Sequence, residues 1–361
     1  MKMKIKTQLK NIASYSKGEQ INGDDLIENG TYDYLNGGIA PSGKWNSYNT
    51  PANTVTISEG GNSCGYVNFM NKPFWCGAHC YYLFDTISNA KYLYYALKSQ
   101  QDRLMKIRSG ACMPNIKKSD LGKFEIFYET DEDEQNKVVD VLTKCENVIC
   151  SRKQQLQQLD ELVKARFVEM FGDPYTNDKN WEMKTFGDIC TVRQGLQIPI
   201  SKRLTQYEED CYEYITVAFL HGSKEREYIK SPKNTVVCTK DDILMTRTGN
   251  TGMVVTDVEG VFHNNFFLID FERTKYSKRF LVEYLNLDLI QTEIIKRAGT
   301  STIPDLNHGQ FYAISIYEPP IELQKQFTTF VGQVDKSKVA VQKALDEAQT
   351  LFASLMQEYF G

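Results

Sequence analysis

The chain repeats itself once, and that duplication constrains the fold more than any other feature. Leu9-Lys10-Asn11-Ile12 leading to Gly18 resembles Phe186-Gly187-Asp188-Ile189 leading to Gly195, an offset of 177. Gly61-Asn62-Ser63 matches Gly249-Asn250-Thr251 at an offset of 188, and Phe171-Gly172 matches Phe360-Gly361 at 189. Arg108-Ser109-Gly110 likewise matches Arg297-Ala298-Gly299 at 189. A single duplication lacks the short, many-fold period of a solenoid. It implies a pseudo-twofold molecule of two similar halves.

Both halves follow one order. A strand-rich region comes first, including 53–58, 65–70 and 80–84 in the first copy and 236–238, 243–246 and 253–256 in the second. A helix-period segment follows, near 89–107 and 277–296. A Gly/Pro loop, a short strand and a long final helix complete each half.

The final helices carry the clearest pattern. Val138, Leu142, Cys145, Ile149, Arg152, Leu156, Leu159, Val163, Arg166 and Met170 alternate steps of four and three. The second copy repeats the phase with Phe327, Val331, Val334, Lys338, Val341, Leu345, Ala348, Phe352, Leu355 and Tyr359. That is a coiled-coil seam, over helices of about 38 residues and about 57 Å. Pro319-Pro320 bars helix before the second, and Gly172-Asp173-Pro174 stops the first. Helix one ends where the second strand-rich region begins, so pairing within the chain must be antiparallel, with one globular domain at each end of a rigid spacer. A seam does not name its partner, so packing of each helix on its own domain, or pairing between chains, stays open. The expected fold is therefore α+β, with domains at 1–132 and 173–320 and spacer helices at 133–172 and 321–361.

Two similar heads on a fixed rod suit a ligand with two sites at fixed spacing. On one face of a DNA duplex such sites lie about one helical turn apart, roughly 10 base pairs. Charge tempers this expectation. The chain carries a net −4, and only residues 1–130 are basic on balance, with 15 Lys+Arg against 11 Asp+Glu. A phosphate-driven binder shows a clear basic patch. This chain alone should hold DNA weakly, with a basic partner supplying backbone affinity.

The wording of the sequence resembles the specificity subunits of type I restriction–modification enzymes across nearly the whole chain. The resemblance rests on 151–173, especially Leu156-Gln157-Gln158-Leu159-Asp160 running to Phe171-Gly172-Asp173-Pro174. It rests also on Asp241-Asp242-Ile243-Leu244-Met245-Thr246-Arg247-Thr248-Gly249, on Gly43-Lys44-Trp45-Asn46 and on Pro319-Pro320-Ile321-Glu322-Leu323-Gln324. The first copy departs at Thr130-Asp131-Glu132-Asp133-Glu134-Gln135, which lacks the double proline. The resemblance implies two target-recognition domains, each reading half of a split double-stranded DNA site. It implies a spacer that binds two modification (adenine methyltransferase) subunits, with restriction subunits joining that core. S-adenosylmethionine, ATP and Mg²⁺ would belong to those partners, and this chain would hold no cofactor or metal.

Base reading needs side chains that donate and accept at groove edges. The aligned loops offer Glu59, Asn62 and Ser63 against Arg247, Asn250 and Thr251, although Gly and Asn also favour plain hairpin turns. The loops after the mid-domain helices offer Arg108, Asn115, Lys117 and Lys118, and Arg297, Ser301, Thr302, Asn307 and His308, suited to phosphate. Lys44, Trp45 and Asn46 form a third candidate group, set against a core tryptophan. Arg193 and Gln194, with Lys202 and Arg203, form a weaker one.

Catalytic readings find little. Cys76, His79 and Cys80, with Cys64 and Cys112, could suggest zinc, but paired spacings are missing and the second copy has no counterpart. No Walker A loop, methyltransferase Asn/Asp-Pro-Pro-Tyr/Phe, nucleophile elbow or His-Glu-x-x-His is present. A stand-alone methyltransferase or nuclease, and a coiled-coil scaffold that ignores DNA, are the alternatives. Nine scattered cysteines and the absence of a leader or long apolar run point to reduced thiols in a cytoplasmic chain without membrane contact.

Overall fold

The computed structural model describes residues 4–87, 89–110, 114–223, 225–299 and 304–361. The first copy forms β1 (Ile5–Gln8), β2 (Ser14–Lys17), β3 (Tyr32–Leu35), β4 (Gly43–Trp45), β5 (Thr54–Ser58), β6 (Val67–Met70), β7 (Phe74–Cys76) and β8 (Cys80–Phe84). Helices α1 (Ala90–Lys98), α2 (Gln101–Lys106) and α3 (Lys118–Gly122), strand β9 (Glu125–Tyr128) and the long helix α4 (Glu132–Phe171) follow. The second copy repeats the plan with β10 (Glu182–Thr185), α5 (Phe186–Ile189), β11 (Cys190–Gln194), β12 (Cys211–Ile215), α6 (Val217–Leu220), β13 (Tyr228–Lys230) and β14 (Val237–Cys238). It continues through β15 (Ile243–Thr246), β16 (Val254–Val255), β17 (Gly260–Phe262), β18 (Phe266–Phe271), α7 (Lys278–Asn286), α8 (Asp288–Ala298), α9 (His308–Tyr312), β19 (Ser315–Glu318) and α10 (Ile321–Phe360).

The duplication is topological as well as textual. The first copy holds an antiparallel sheet in the order β2-β8-β5-β6 and a sheet β4-β3-β7 whose β3 and β7 are parallel. The second holds β11-β18-β15-β16, and a sheet β13-β12-β17-β14 whose β12 and β17 are parallel. In each, the first strand pairs antiparallel with the last, Ile5 opposite Tyr128 and Glu182 opposite Glu318.

The single mid-domain helix expected in each copy is instead two. Leu287 takes extended backbone (φ −62°, ψ 136°) between α7 and α8, and its side chain joins the core there. Between α1 and α2 the break falls at Gln100 (φ −111°, ψ 20°).

The long helices begin and end as the chemistry of their ends demands. In α4, Asp131 replaces the double proline of the second copy. Its carboxylate accepts from the backbone N–H of Asp133 (3.0 Å) and Glu134 (3.3 Å), and three acids in the first turn suit the helix dipole. Gly172 closes the helix at φ +83°, a left-handed position that glycine adopts without strain. Every seam position named above is buried or half-buried, including Val138, Leu142, Ile149, Leu156, Leu159 and Val163, and Val331, Val334, Val341, Leu345, Phe352 and Leu355.

Contacts divide the chain into two units, Met1–Gln154 with Gln342–Gly361, and Gln155–Val341. Each unit therefore contains part of both long helices, a division that differs from the four consecutive segments read from sequence. In the first unit, Tyr92 of α1 meets Phe360 (5.3 Å between rings), while Tyr95 meets Phe352 (6.3 Å) and its hydroxyl donates to Glu146 (2.7 Å). The Tyr92 hydroxyl accepts from the Glu129 N–H (3.2 Å). Moving along α1, the chain leading through α4 climbs from 129 to 146 while α10 descends from 360 to 352. The two helical segments are antiparallel. The second unit says the same: Phe167 and Phe171 each lie 5.4 Å from Phe327, and Asp160 pairs with Lys338 (2.6 Å).

The largest buried side chains at these junctions are aromatic. Phe167 is fully buried among Phe171, Phe280, Tyr284 and Phe327. Among the described residues no helix is long and apolar enough to cross a membrane. Truncating Phe167 to alanine should destabilise the second unit by about 3–5 kcal/mol through lost burial and a cavity. Urea titration with hydrogen exchange as the readout should show that loss in α7 and β19 and leave β1 and β9 protected.

Candidate nucleic-acid interface

In the first unit, four loops converge at one end of the β2-β8-β5-β6 sheet. Strand β5 runs into residues 59–66, the hairpin connection to β6. The backbone N–H of Glu59 donates to His79 O (2.9 Å) in the turn between β7 and β8. Ile116 N–H donates to Glu59 O (2.9 Å), and Gly61 N–H to Pro114 O (3.0 Å), which ties in the loop before α3. Gly77 N–H donates to Leu35 O (2.9 Å), and His79 N–H to the Asn36 side chain (3.1 Å), which adds the loop after β3. Together they enclose a cleft of about 540 Å³ lined by Asn36, Glu59, Ser63, His79 and Asn115 among others. Gly37, at φ +85°, sits so close to His79 O that a Cβ would lie 2.2 Å from it, so the wall tolerates no side chain there.

Three of these backbone bonds recur in the second unit with different side chains. Arg247 N–H donates to Asn265 O (2.7 Å), Leu306 N–H to Arg247 O (2.9 Å), and His263 N–H to Ile215 O (3.0 Å). A β-bridge joins Thr248 to Asp305 where the first unit joins Gly60 to Asn115. Glu59 corresponds to Arg247, Asn115 to Asp305 and His79 to Asn265.

Charges in these loop clusters are paired internally. Glu59, its side chain only 12% exposed, pairs with Lys17 and with His79 (3.5 Å). Arg247 makes a two-pronged contact with Asp305, Nε to Oδ1 at 3.0 Å and Nη2 to Oδ2 at 2.7 Å. Burial, with Arg247 close by, lowers the pKa of His308, whose ring stands edge-on to Phe267 (5.9 Å). Burial and then Arg203 lower that of His263.

The residues singled out from sequence fall into three groups. Asn62 and Asn250 are exposed at the hairpin tips, and Asn250, at φ +63°, contacts His221 (3.0 Å). Arg108, Asn115 and Lys117 are also exposed. Other candidate side chains are bonded within the protein. Ser63 Oγ donates to Gly37 O (2.6 Å), and Thr251 Oγ1 to Pro304 O (2.7 Å). Asn307 caps α9 by accepting from Gln310 N–H (2.9 Å), and Arg297 pairs with Glu293 one turn earlier. Lys118 lies over the Tyr15 ring (5.8 Å).

A third group lies on or next to β4 and β11. Trp45 is half-buried against Trp75 (6.4 Å), Lys44 lies 3.9 Å from Asp33, and Asn46 is exposed beyond β4. Arg193 donates to Thr235 O (3.2 Å), and Gln194 to Asn264 O (3.4 Å). Ser301 and Thr302 lie outside the described residues, as does Cys112.

Sequence reasoning missed the 77–79 and 263–265 turns and the 36–38 and 216–221 segments. The first was visible only as Cys76, His79 and Cys80. Those cysteines are buried with Leu35 and Phe74, where the neighbouring Cys80 thiol and burial push Cys76 up in pKa.

Comparison with known proteins places this architecture. The family model described as the type I restriction modification DNA specificity domain matches residues 2–161 and 178–348, one match per copy. A putative type I specificity subunit of Mycoplasma genitalium is 26% identical over 372 residues, covering 98% of this chain and 93% of that one. A type I restriction enzyme specificity subunit of Methanocaldococcus jannaschii is 32% identical over 150 residues, 37% of this chain and 32% of that protein. The crystal structure of an S subunit from M. genitalium shares the fold, with a TM-score of 0.67, 22% identity, and coverage of 99% of this chain and 96% of that one. The chain belongs to the type I restriction–modification DNA specificity family, whose role is recognition of DNA sequence.

Removing the Asp305 carboxylate leaves the Arg247 guanidinium unpaired at the cleft. The Asp305→Asn protein should bind duplex DNA of unrelated sequence more tightly at low salt. The slope of log affinity against log salt should steepen by about one, read by fluorescence anisotropy across a salt series.

Proposed function

We propose that each unit reads one half of a split double-stranded DNA site through the loops around its cleft, while the paired helices hold the two readings at fixed spacing. One observation carries this reading. Three backbone hydrogen bonds recur between the two loop clusters, whereas the side chains they present differ: Glu59 against Arg247, Asn115 against Asp305, and His79 against Asn265. One scaffold with two sets of polar tips suits recognition of two different short sequences, since base edges are told apart by the placement of donors and acceptors. Spacing of about one helical turn between half-sites follows if both heads face one side of the duplex.

The chemistry belongs to partners. In this reading the long helices dock two modification subunits, restriction subunits join that core, and S-adenosylmethionine, ATP and Mg²⁺ bind those proteins in the cytoplasm. The charge supports such a division. A net −4 gives little general attraction for phosphate, and the cleft cations Lys17 and Arg247 are already paired with Glu59 and Asp305. The partners then supply backbone affinity and this chain supplies selectivity.

Replacing residues 1–130 by the corresponding domain of another specificity subunit tests the reading. With modification partners present, mapping of methylated adenine should show one half of the site changed and the other half kept. An unchanged site would defeat the proposal and favour a scaffold that does not touch bases.

A further inference from the structure

Two glutamines, one at the start of each long helix, are among the most deeply buried polar side chains of the protein: Gln135 is 1% exposed and Gln324 0%. They are equivalent in the duplication, 189 residues apart. Their bonding is equivalent too. The Gln324 Oε1 accepts from the backbone N–H of Ser277 (2.8 Å), the residue that caps α7. Its Nε2 donates to Lys275 O (2.9 Å) and to Pro319 O (2.8 Å). Gln135 Oε1 accepts from the N–H of Asn89 (3.2 Å), which caps α1, and its Nε2 donates to Glu129 O (2.6 Å). Each glutamine thus joins three things: the N-terminus of a head's main helix, the strand leaving that head, and the first turn of a long helix.

We infer that Gln135 and Gln324 are positioning residues that fix the direction in which each long helix leaves its recognition domain, and so help set the distance between half-sites. The inference rests on the split-site reading above. Geometry shows the leverage. Between Gln324 and Val341, within one unit, α10 runs about 26 Å at about 1.5 Å per residue. A tilt of about 10° over that length moves its far end by about 4.5 Å, more than the rise of about 3.4 Å per base step. Apolar packing such as Phe171 on Phe280 holds the junction together, but the hydrophobic effect that drives it is not directional. Hydrogen bonds weaken steeply off their geometry, and a side chain meeting both a donor and acceptors admits few orientations. Nearby ion pairs at the same joints, Lys91 with Glu146 (3.0 Å) and Arg279 with Asp335 (3.4 Å), are partly exposed and screened.

The test uses the full chain assembled with its modification partner and a duplex library in which the half-sites stand one base pair closer, at the native distance, or one or two base pairs further apart. Methylation of each spacing is read by sequencing. The wild-type complex should prefer one spacing. Gln324→Met, which keeps the volume and loses every hydrogen bond, should lower that preference over its neighbours by about tenfold, with both half-site sequences unchanged. Gln135→Met tests the other joint. Gln324→Glu, which keeps the acceptor, tests the first joint again should the methionine variant fail to fold, and should give a smaller loss of preference. A wild-type preference that the folded variants keep, whatever happens to total methylation, overturns this inference alone. A wild-type complex with no preferred spacing overturns the split-site reading and this inference together.

Discussion

The core of each unit is closed by the last residues of a long helix. Phe171, at the end of α4, packs on Phe280 (4.9 Å) and Phe327 in the second unit. Phe360, its repeat equivalent at the end of α10, packs on Tyr92 in the first. Helix α4 follows β9 and contributes Leu142 to the first core before ending at Phe171 in the second, so one helix supplies part of one core and the plug of the other. Both phenylalanines are nearly or fully buried and sit beside aromatic partners, where truncation removes both area and packing. Neither globular region therefore completes its core from its own strands and short helices. The helices are part of the recognition domains as well as connectors between them, and a change in helix packing must be felt in the cores.

Electrostatics takes a secondary part in this assembly. Ion pairs in the clefts are internal to each unit, and Arg247 with Asp305 is the best formed, with two parallel contacts. A paired arginine is ordered in advance and shielded from indiscriminate attraction to phosphate. Carboxylates placed beside cations in the clefts act against loose binding, which fits a protein whose task is discrimination.

The duplication and the heptad phase were legible because both are long-range regularities that survive local substitution. Seam positions from Val138 to Leu355 are buried or half-buried as their spacing requires. Internal bonding of individual side chains was not legible. Ser63, Thr251 and Asn307 have side chains suited to DNA, and the fold also bonds each to a backbone group. The turns at 77–79 and 263–265 were missed because they share almost no sequence; what they share is backbone hydrogen bonding from Glu59 and Arg247, which no residue pattern records. Gln135 and Gln324 were hidden for the opposite reason. Glutamine on a helix reads as solvated surface, and only the fold reveals that both are buried and fully engaged.

This separation of roles has a physical consequence for how such a protein changes its target. The clefts are built from main-chain contacts: Glu59 or Arg247 to the facing turn, and Ile116 or Leu306 back to the same residue. Main-chain bonds do not depend on side-chain identity, so tips such as Asn62 and Asn265 can be exchanged without dismantling the loop cluster. Surface substitutions away from core or bonded positions typically cost within about 0.5 kcal/mol. The same freedom is denied at Gly37, where a Cβ would strike His79 O, and at the aromatic plugs. A fold that places much of its requirement in backbone bonds, a few glycines and a helical seam leaves unbonded tips such as Asn62 free to change, and two copies of it in one chain can diverge independently.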